Sequence, residues 1–137
     1  MSTWFIDANV FLRFFTVDEQ GQHERAVRLI SKAREGKIRL VCGPPVLFEL
    51  SWTLRSAYKV ARGKVLEILS AVYSMPGLIM TDSRLVETAL TLADTGGVEF
   101  PDAYIAASAL AEECDGVASF NRKDFARMKI RLADFEV

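Results

Sequence analysis

One histidine, two isolated cysteines and nearly cancelling charges remove several common chemistries from this 137-residue chain before any motif is read. The histidine, His23, sits in a polar stretch expected to be exposed, which makes a poor centre for proton shuttling. Cys42 and Cys114 have none of the Cys or His neighbours a zinc site needs, and both read as buried thiols in a reducing cytosol. With 17 basic and 18 acidic residues the net charge is −1, so nucleic acid cannot be held by bulk charge and any such contact must be a local patch. No window approaches the roughly 18 apolar residues of a membrane span, and the N-terminus lacks the basic start and apolar run of a signal peptide. A soluble, cytoplasmic protein is the expectation. Missing too are a Gly-x-Ser-x-Gly elbow and a phosphate-cradling Gly-x-x-x-x-Gly-Lys loop, which leaves no protein nucleophile or nucleotide cradle of familiar form.

What remains is half hydrophobic, enough to build a core in one domain spanning residues 1–137. Thr3 to Ile6 reads as a buried strand, Asn9 to Phe15 as a helix start, and Ala26, Val27, Leu29, Ile30 and Ala33 recur at helical spacing until Gly36. Ile38 to Cys42 is a second strand. Pro44-Pro45 opens a helix to about Lys59, because proline is tolerated in a first turn. A helix over Lys64–Tyr73 follows, then a turn at Pro76-Gly77 and a short strand at Leu78–Met80. Asp82 or Ser83 caps a helix to about Asp94, terminated by Gly96-Gly97. Pro101 opens another helix to Glu113, Gly116–Phe120 is a fourth strand and Ile130–Leu132 a fifth. Strands alternating with helices imply an α/β fold with a mainly parallel sheet of four to five strands, covered on both faces. In such folds ligands bind beyond the carboxyl ends of the strands.

Against that frame four carboxylates stand out. Asp7 ends the run Trp4-Phe5-Ile6, Glu49 interrupts Val46–Leu50, Asp102 opens a stretch of alanines and aromatics, and Asp124 follows Val117–Phe120. A carboxylate in apolar surroundings is costly unless positive charge lies beside it, and several that converge usually hold a divalent cation, with oxygen ligands favouring Mg²⁺ or Mn²⁺ over zinc. Helical spacing puts Asp102 on a stripe with Ile105, Ala106 and Ala109, and Glu49 on one with Val46, Leu50 and Thr53, so both are expected to point inward. Each acid also has a plainer reading. Asp7 caps a helix, Asp102 sits in a first turn favoured by the helix dipole, Glu49 pairs with a buried arginine, and Asp124 is a turn residue. One cluster is more economical than four separate explanations.

The segments Phe5-Ile6-Asp7-Ala8-Asn9-Val10-Phe11-Leu12-Arg13, Phe48-Glu49-Leu50, Phe100-Pro101-Asp102-Ala103-Tyr104-Ile105-Ala106-Ala107-Ser108-Ala109 and Ser119-Phe120-Asn121-Arg122-Lys123-Asp124-Phe125, in that order, resemble the PIN-domain family, and most closely its VapC-type toxin ribonucleases. The resemblance covers essentially the whole chain. It implies a three-layer α/β/α fold and a Mg²⁺- or Mn²⁺-dependent endoribonuclease whose metal is held by Asp7, Glu49 and Asp102, with Asn9 as polar companion. Many relatives carry an aspartate where this chain has Asn121. A family variant of the loop, Asn-x-x-Asp-Phe, matches Asn121–Phe125, so either Asp124 supplies the fourth acid or three acids suffice. Ser119 supports an acid or a metal-bound water in this picture, or is an ordinary strand-end serine.

A divalent ion lowers the pKa of bound water, orients it and neutralises phosphate charge, so no protein nucleophile is required. RNA approaching such acids needs cations: Arg13 lies near Asp7, and Arg122 and Lys123 flank Asp124, although solvated surface charge is their plain alternative. The resemblance further implies an antitoxin protein that docks an extended or helical segment, and a homodimer, to which aromatic residues such as Trp52, Tyr58 and Tyr73 would contribute. Two competing functions stay open. One is phosphoryl transfer through Asp7, weakened by Asn9 where such enzymes prefer a second aspartate; the other is a degenerate RNA- or protein-binding module that lost its acid at Asn121.

Overall fold

A computed structural model describes residues 1–135. The chain forms two compact units, one over Met1–Ser83 and the other from Arg84 onward.

The first unit alternates strand and helix: β1 Thr3–Phe5, α1 Ala8–Phe15, α2 Gln20–Arg34, β2 Arg39–Cys42, α3 Pro44–Ser56, α4 Arg62–Tyr73 and β3 Leu78–Met80. Its sheet is parallel with order β1-β2-β3, and the register pairs Trp4 with Leu40 and Leu40 with Leu78. Parallel neighbours need a long crossover, and α1–α2 and α3–α4 supply the two. Punctuation follows the residue chemistry. The Asp7 carboxylate caps α1, Pro44 and Pro45 open α3, and α2 closes into Gly36 in the left-handed region at φ +76°. The core packs Phe11, Ile30, Leu40, Leu47, Leu50, Leu54, Leu69 and Val72, all with under 2 % of their surface exposed.

β1 departs from expectation. Its residues Thr3, Trp4 and Phe5 are exposed, and only Ile6 beyond it is buried. Among the described residues it pairs with β2 alone, at the end of the order β1-β2-β3, and the apolar run that predicts a buried strand is exposed instead.

The second unit holds all but the first residue of α5 Ser83–Gly96, together with α6 Phe100–Ala111 and α7 Arg122–Arg127. Phe100 and Phe125 are its largest buried side chains, and Val86, Ala89, Ala93, Ala103, Ala106 and Ala107 are buried as well. The fourth and fifth strands expected at residues 116–120 and 130–132 reduce, among the described residues, to one parallel bridge between Val117 and Leu132. Val117 N–H donates to the Arg131 carbonyl and the Val117 carbonyl accepts from Ala133 N–H, both at 2.9 Å. The approach is close enough that a Cβ at Gly116 would collide with the Arg131 carbonyl. α7 is absent from the sequence reading, because six residues are too few to display a helical period.

The two thiols separate. Cys42 is buried on β2, and desolvation pushes its thiol up to about 11, whereas Cys114, expected to be buried, is exposed beyond the end of α6. A chain reversal explains the second: Glu113 takes the left-handed region at φ 55° and carries Cys114 off the helix. At mildly alkaline pH a disulfide reagent such as Ellman's should therefore titrate Cys114 alone in the folded protein and both thiols after denaturation. Rapid reaction of both in the folded state would contradict the burial of Cys42.

Candidate functional site

The candidate residues fall in both units. In the first, Ile6 N–H still donates to the Val41 carbonyl at 2.9 Å, so Asp7 stands where β1 ends, at its carboxyl edge. The side chain is exposed. Oδ1 accepts from Ala8 N–H at 2.8 Å, which is the helix-cap role, and Oδ2 lies 3.4 Å from the Asn9 amide nitrogen. Capping occupies one carboxylate oxygen strongly and leaves the other with one long contact.

Glu49 corrects the expectation of an inward acid. The buried face of α3 runs through Val46, Leu47, Leu50, Ser51 and Leu54, and Glu49 is exposed on the opposite stripe with Pro45 and Trp52. Residues three and four apart share a face, and 45, 49 and 52 are such a set. The mean apolarity of the segment hid which of two stripes was turned to the core.

Arg13 is tied rather than free. Its Nε donates to Gln22 Oε1 at 2.7 Å, and Nη1 lies 3.2 Å from both Asp18 Oδ1 and the Tyr58 hydroxyl. Tyr58 in turn donates to Asp18 Oδ2 at 2.7 Å, and that bond, reinforced by Thr16 and Arg13, holds the Asp18 carboxyl below its ordinary value. His23, expected to be exposed, is half-buried with Nδ1 2.8 Å from the Arg13 carbonyl. Arg13 also lines a groove of about 340 Å³ with Asn9, Gln22 and Arg25. A network spanning α1, α2 and Tyr58 had no short-range signal.

The second unit gathers the chemistry more tightly. Asp102 lies in the first turn of α6 and Asp124 in the first turn of α7, both half-buried. Asn121 joins them: its Nδ2 donates to Asp102 Oδ2 at 2.9 Å and to Asp124 Oδ2 at 3.0 Å. Ser119 supports that residue, its Oγ accepting from Asn121 N–H at 2.9 Å. Asp102 is less inward than its stripe suggested, because α6 buries Phe100, Ala103, Ala106 and Ala107 while Ile105 is exposed. Its carboxyl is held above the ordinary value by burial first, then by the negative charge of Asp124 and of Glu99, against a downward pull from Asn121. Glu99 is not among the acids singled out from the sequence, although its spacing of three residues sets it one turn from Asp102. Positive charge near the pair is thin: Arg127 Nη1 is 3.8 Å from Asp124 Oδ1 and half exposed, and exposed Arg122 donates to the Ala133 carbonyl at 3.1 Å. Lys123 is exposed beside them.

Two carboxylates facing one neutral amide form a donor set of hard oxygens whose mutual repulsion a divalent cation would relieve, so Asp102 and Asp124 fit one chemically. Among the described residues no three His, Cys, Asp or Glu side chains are gathered to hold a metal ion. Nor is any helix among them long and apolar enough to cross a membrane.

Compared with known proteins, residues 4–130 match the family model described as PIN domain. No curated protein matches the chain. The matched family has a three-layer α/β/α fold, which accords with the parallel sheet and flanking helices seen here.

Proposed function

The chain belongs to the PIN domain family, and from that premise we propose that it is a Mg²⁺- or Mn²⁺-dependent endoribonuclease, acting as the toxin of a VapBC-type toxin–antitoxin pair. PIN domains are in general metal-dependent nucleases. The observation that carries the narrower reading is the Asp102–Asn121–Asp124 arrangement, in which two acids 22 positions apart in sequence face one amide. A charge pair of that kind costs stability without a counter-ion, and metal-assisted phosphodiester hydrolysis gives it a use.

In this reading Asp7, Glu49, Asp102 and Asp124 are the acids on which activity depends, with Asn9, Ser119 and Asn121 in support. A bound divalent ion would activate water and neutralise phosphate charge. The residues of the chain orient and balance: Asn121 holds two carboxylates in place, Ser119 holds Asn121, and Asn9 contacts Asp7. Arg122 and Lys123 are assigned to RNA phosphates, and Arg13 joins them only by giving up part of its contacts to Gln22, Asp18 and Tyr58. The cytoplasm is the proposed compartment. An antitoxin is the proposed protein partner, and a homodimer the proposed assembly, supported by the exposed Trp52, Trp4 and Phe5 in the first unit.

Incubation of single-stranded RNA with the protein and Mg²⁺ or Mn²⁺ tests the activity, which should disappear on chelation and return with added metal. Cleavage that survives both chelation and Asp7→Asn would sink the proposal, and growth unaffected by induced expression would remove the toxin assignment. Asn121 supports one alternative, a PIN domain kept as an RNA- or protein-binding module after losing an acid. Absence of cleavage by the wild-type protein with either metal, alongside retained RNA binding, would favour it.

A further inference from the structure

Phe120 is 88 % exposed, more than any other large apolar side chain among the described residues. An isolated surface phenylalanine is unremarkable, but this one precedes Asn121, the residue that faces both Asp102 and Asp124. Its ring meets Phe135 edge-on, with centroids 5.1 Å apart at 61°, a geometry that steadies the ring while leaving most of its surface in solvent. On the other side the chain continues into exposed Arg122 and Lys123. An open aromatic face, two cations and the Asp124 carboxylate are thus placed within five consecutive residues, Phe120 to Asp124, and Asn121 among them joins Asp102 to the set.

We propose that Phe120 is a base-stacking platform that receives an unpaired nucleobase of RNA and sets the neighbouring phosphodiester beside the Asp102–Asp124 pair. The proposal deepens the nuclease reading and rests on it. Aromatic faces hold single-stranded nucleic acid because every base has a π-face, while cations track the backbone. A base in a duplex already stacks on its neighbours and cannot lie on the ring, so the platform selects unpaired RNA. The occupant is argued from charge: Arg122 and Lys123 favour a polyanion, and an apolar protein segment would leave them without a counterpart.

The test compares Phe120→Ala and Phe120→Trp with the wild-type protein on single-stranded RNA and on a hairpin carrying the same sequence in its stem. Stacking predicts that Phe120→Ala raises KM for the single strand by about tenfold with kcat little changed, and that Phe120→Trp restores it. The wild-type preference for the unpaired form should shrink in the alanine variant. Equal KM for wild-type protein and Phe120→Ala, in a preparation that cleaves RNA, overturns the platform and leaves the nuclease reading intact. If the wild-type protein cleaves nothing, the nuclease reading fails, and fluorescence anisotropy with the same single strand then decides the platform alone. Binding weakened by Phe120→Ala supports it, and no binding or equal binding overturns it. A change confined to oligomeric state, read by light scattering, would assign the ring to a protein contact and also overturns the proposal.

Discussion

Replacing Asp7 with asparagine is expected to lower RNA cleavage by about a hundredfold or more while leaving the melting temperature where it was, the barrier loss corresponding to ~3 kcal/mol or more. The side chain has two roles in this protein, and the substitution separates them. As the cap of α1 it accepts from Ala8 N–H, and asparagine caps a helix as well as aspartate does, so the fold should not register the change. As an acid at the carboxyl end of β1 it contributes negative charge, which asparagine lacks. Asp7→Ala removes both, and should add a loss of ~1 kcal/mol in stability to the same loss of activity. Single-turnover cleavage and thermal melts, each variant set against the wild-type protein, give four comparisons. If Asp7 is only a cap, Asp7→Asn will behave as wild type in both assays and Asp7→Ala will lose stability alone.

Asp124→Ala is the second large effect, again about a hundredfold or more in cleavage, for loss of the same ~3 kcal/mol. Here the stability side points differently. Asp124 holds Asp102 in its raised state by like-charge repulsion, second only to burial, so removing it relieves Asp102. A raised carboxylate pKa means that the folded protein binds the proton more tightly than the unfolded chain. The penalty is absent below the ordinary value of 3.8, grows as pH rises from there to the folded value and is complete above it, so at neutral pH it is fully present. Against that relief stand the first-turn dipole of α7, the long Arg127 contact and the exposed hydrogen bond that Asp124 accepts from Asn121 Nδ2 at 3.0 Å, each small at the surface. The net change in stability should therefore stay within ~0.5 kcal/mol, and lost activity cannot be blamed on unfolding. Unchanged cleavage by Asp124→Ala would mean that three acids suffice. Adding Asn121→Asp to that variant returns a carboxylate to the loop at the place where many PIN-domain relatives have theirs, and should recover part of the lost rate. Failure of the double variant to recover would show that the position of the charge matters as much as its number.

How much of this was legible in the chain differs from residue to residue. Pro44-Pro45, Pro101, Gly36 and Gly97 act where their backbone chemistry said they would, and so does Asp7 at a strand end. Those are local effects, decided within a few residues. Glu49 went wrong for a local reason as well: apolar residues lie on both sides of it, so two stripes were available and spacing alone could not choose between them. The Asp102–Asn121–Asp124 arrangement was half visible. Each member was singled out, yet the amide that joins them spans 19 residues to Asp102 and depends on α7, which is too short to leave a periodic trace.

By itself, then, the sequence determined the alternation of strands and helices, the breaks between them, the family and the names of the candidate acids. These follow from backbone preference and residue chemistry, which act at short range. Tertiary structure alone decided that the β1 side chains are exposed, that among the described residues 116–120 and 130–132 meet at one bridge, that Cys114 and Glu49 face solvent, and that Arg13 is bound into a network with Asp18 and Tyr58. It also left Phe120 bare beside the acids. Exposure and partnership are properties of what packs against a residue, and the packing partners come from distant parts of the chain, where no local pattern reaches.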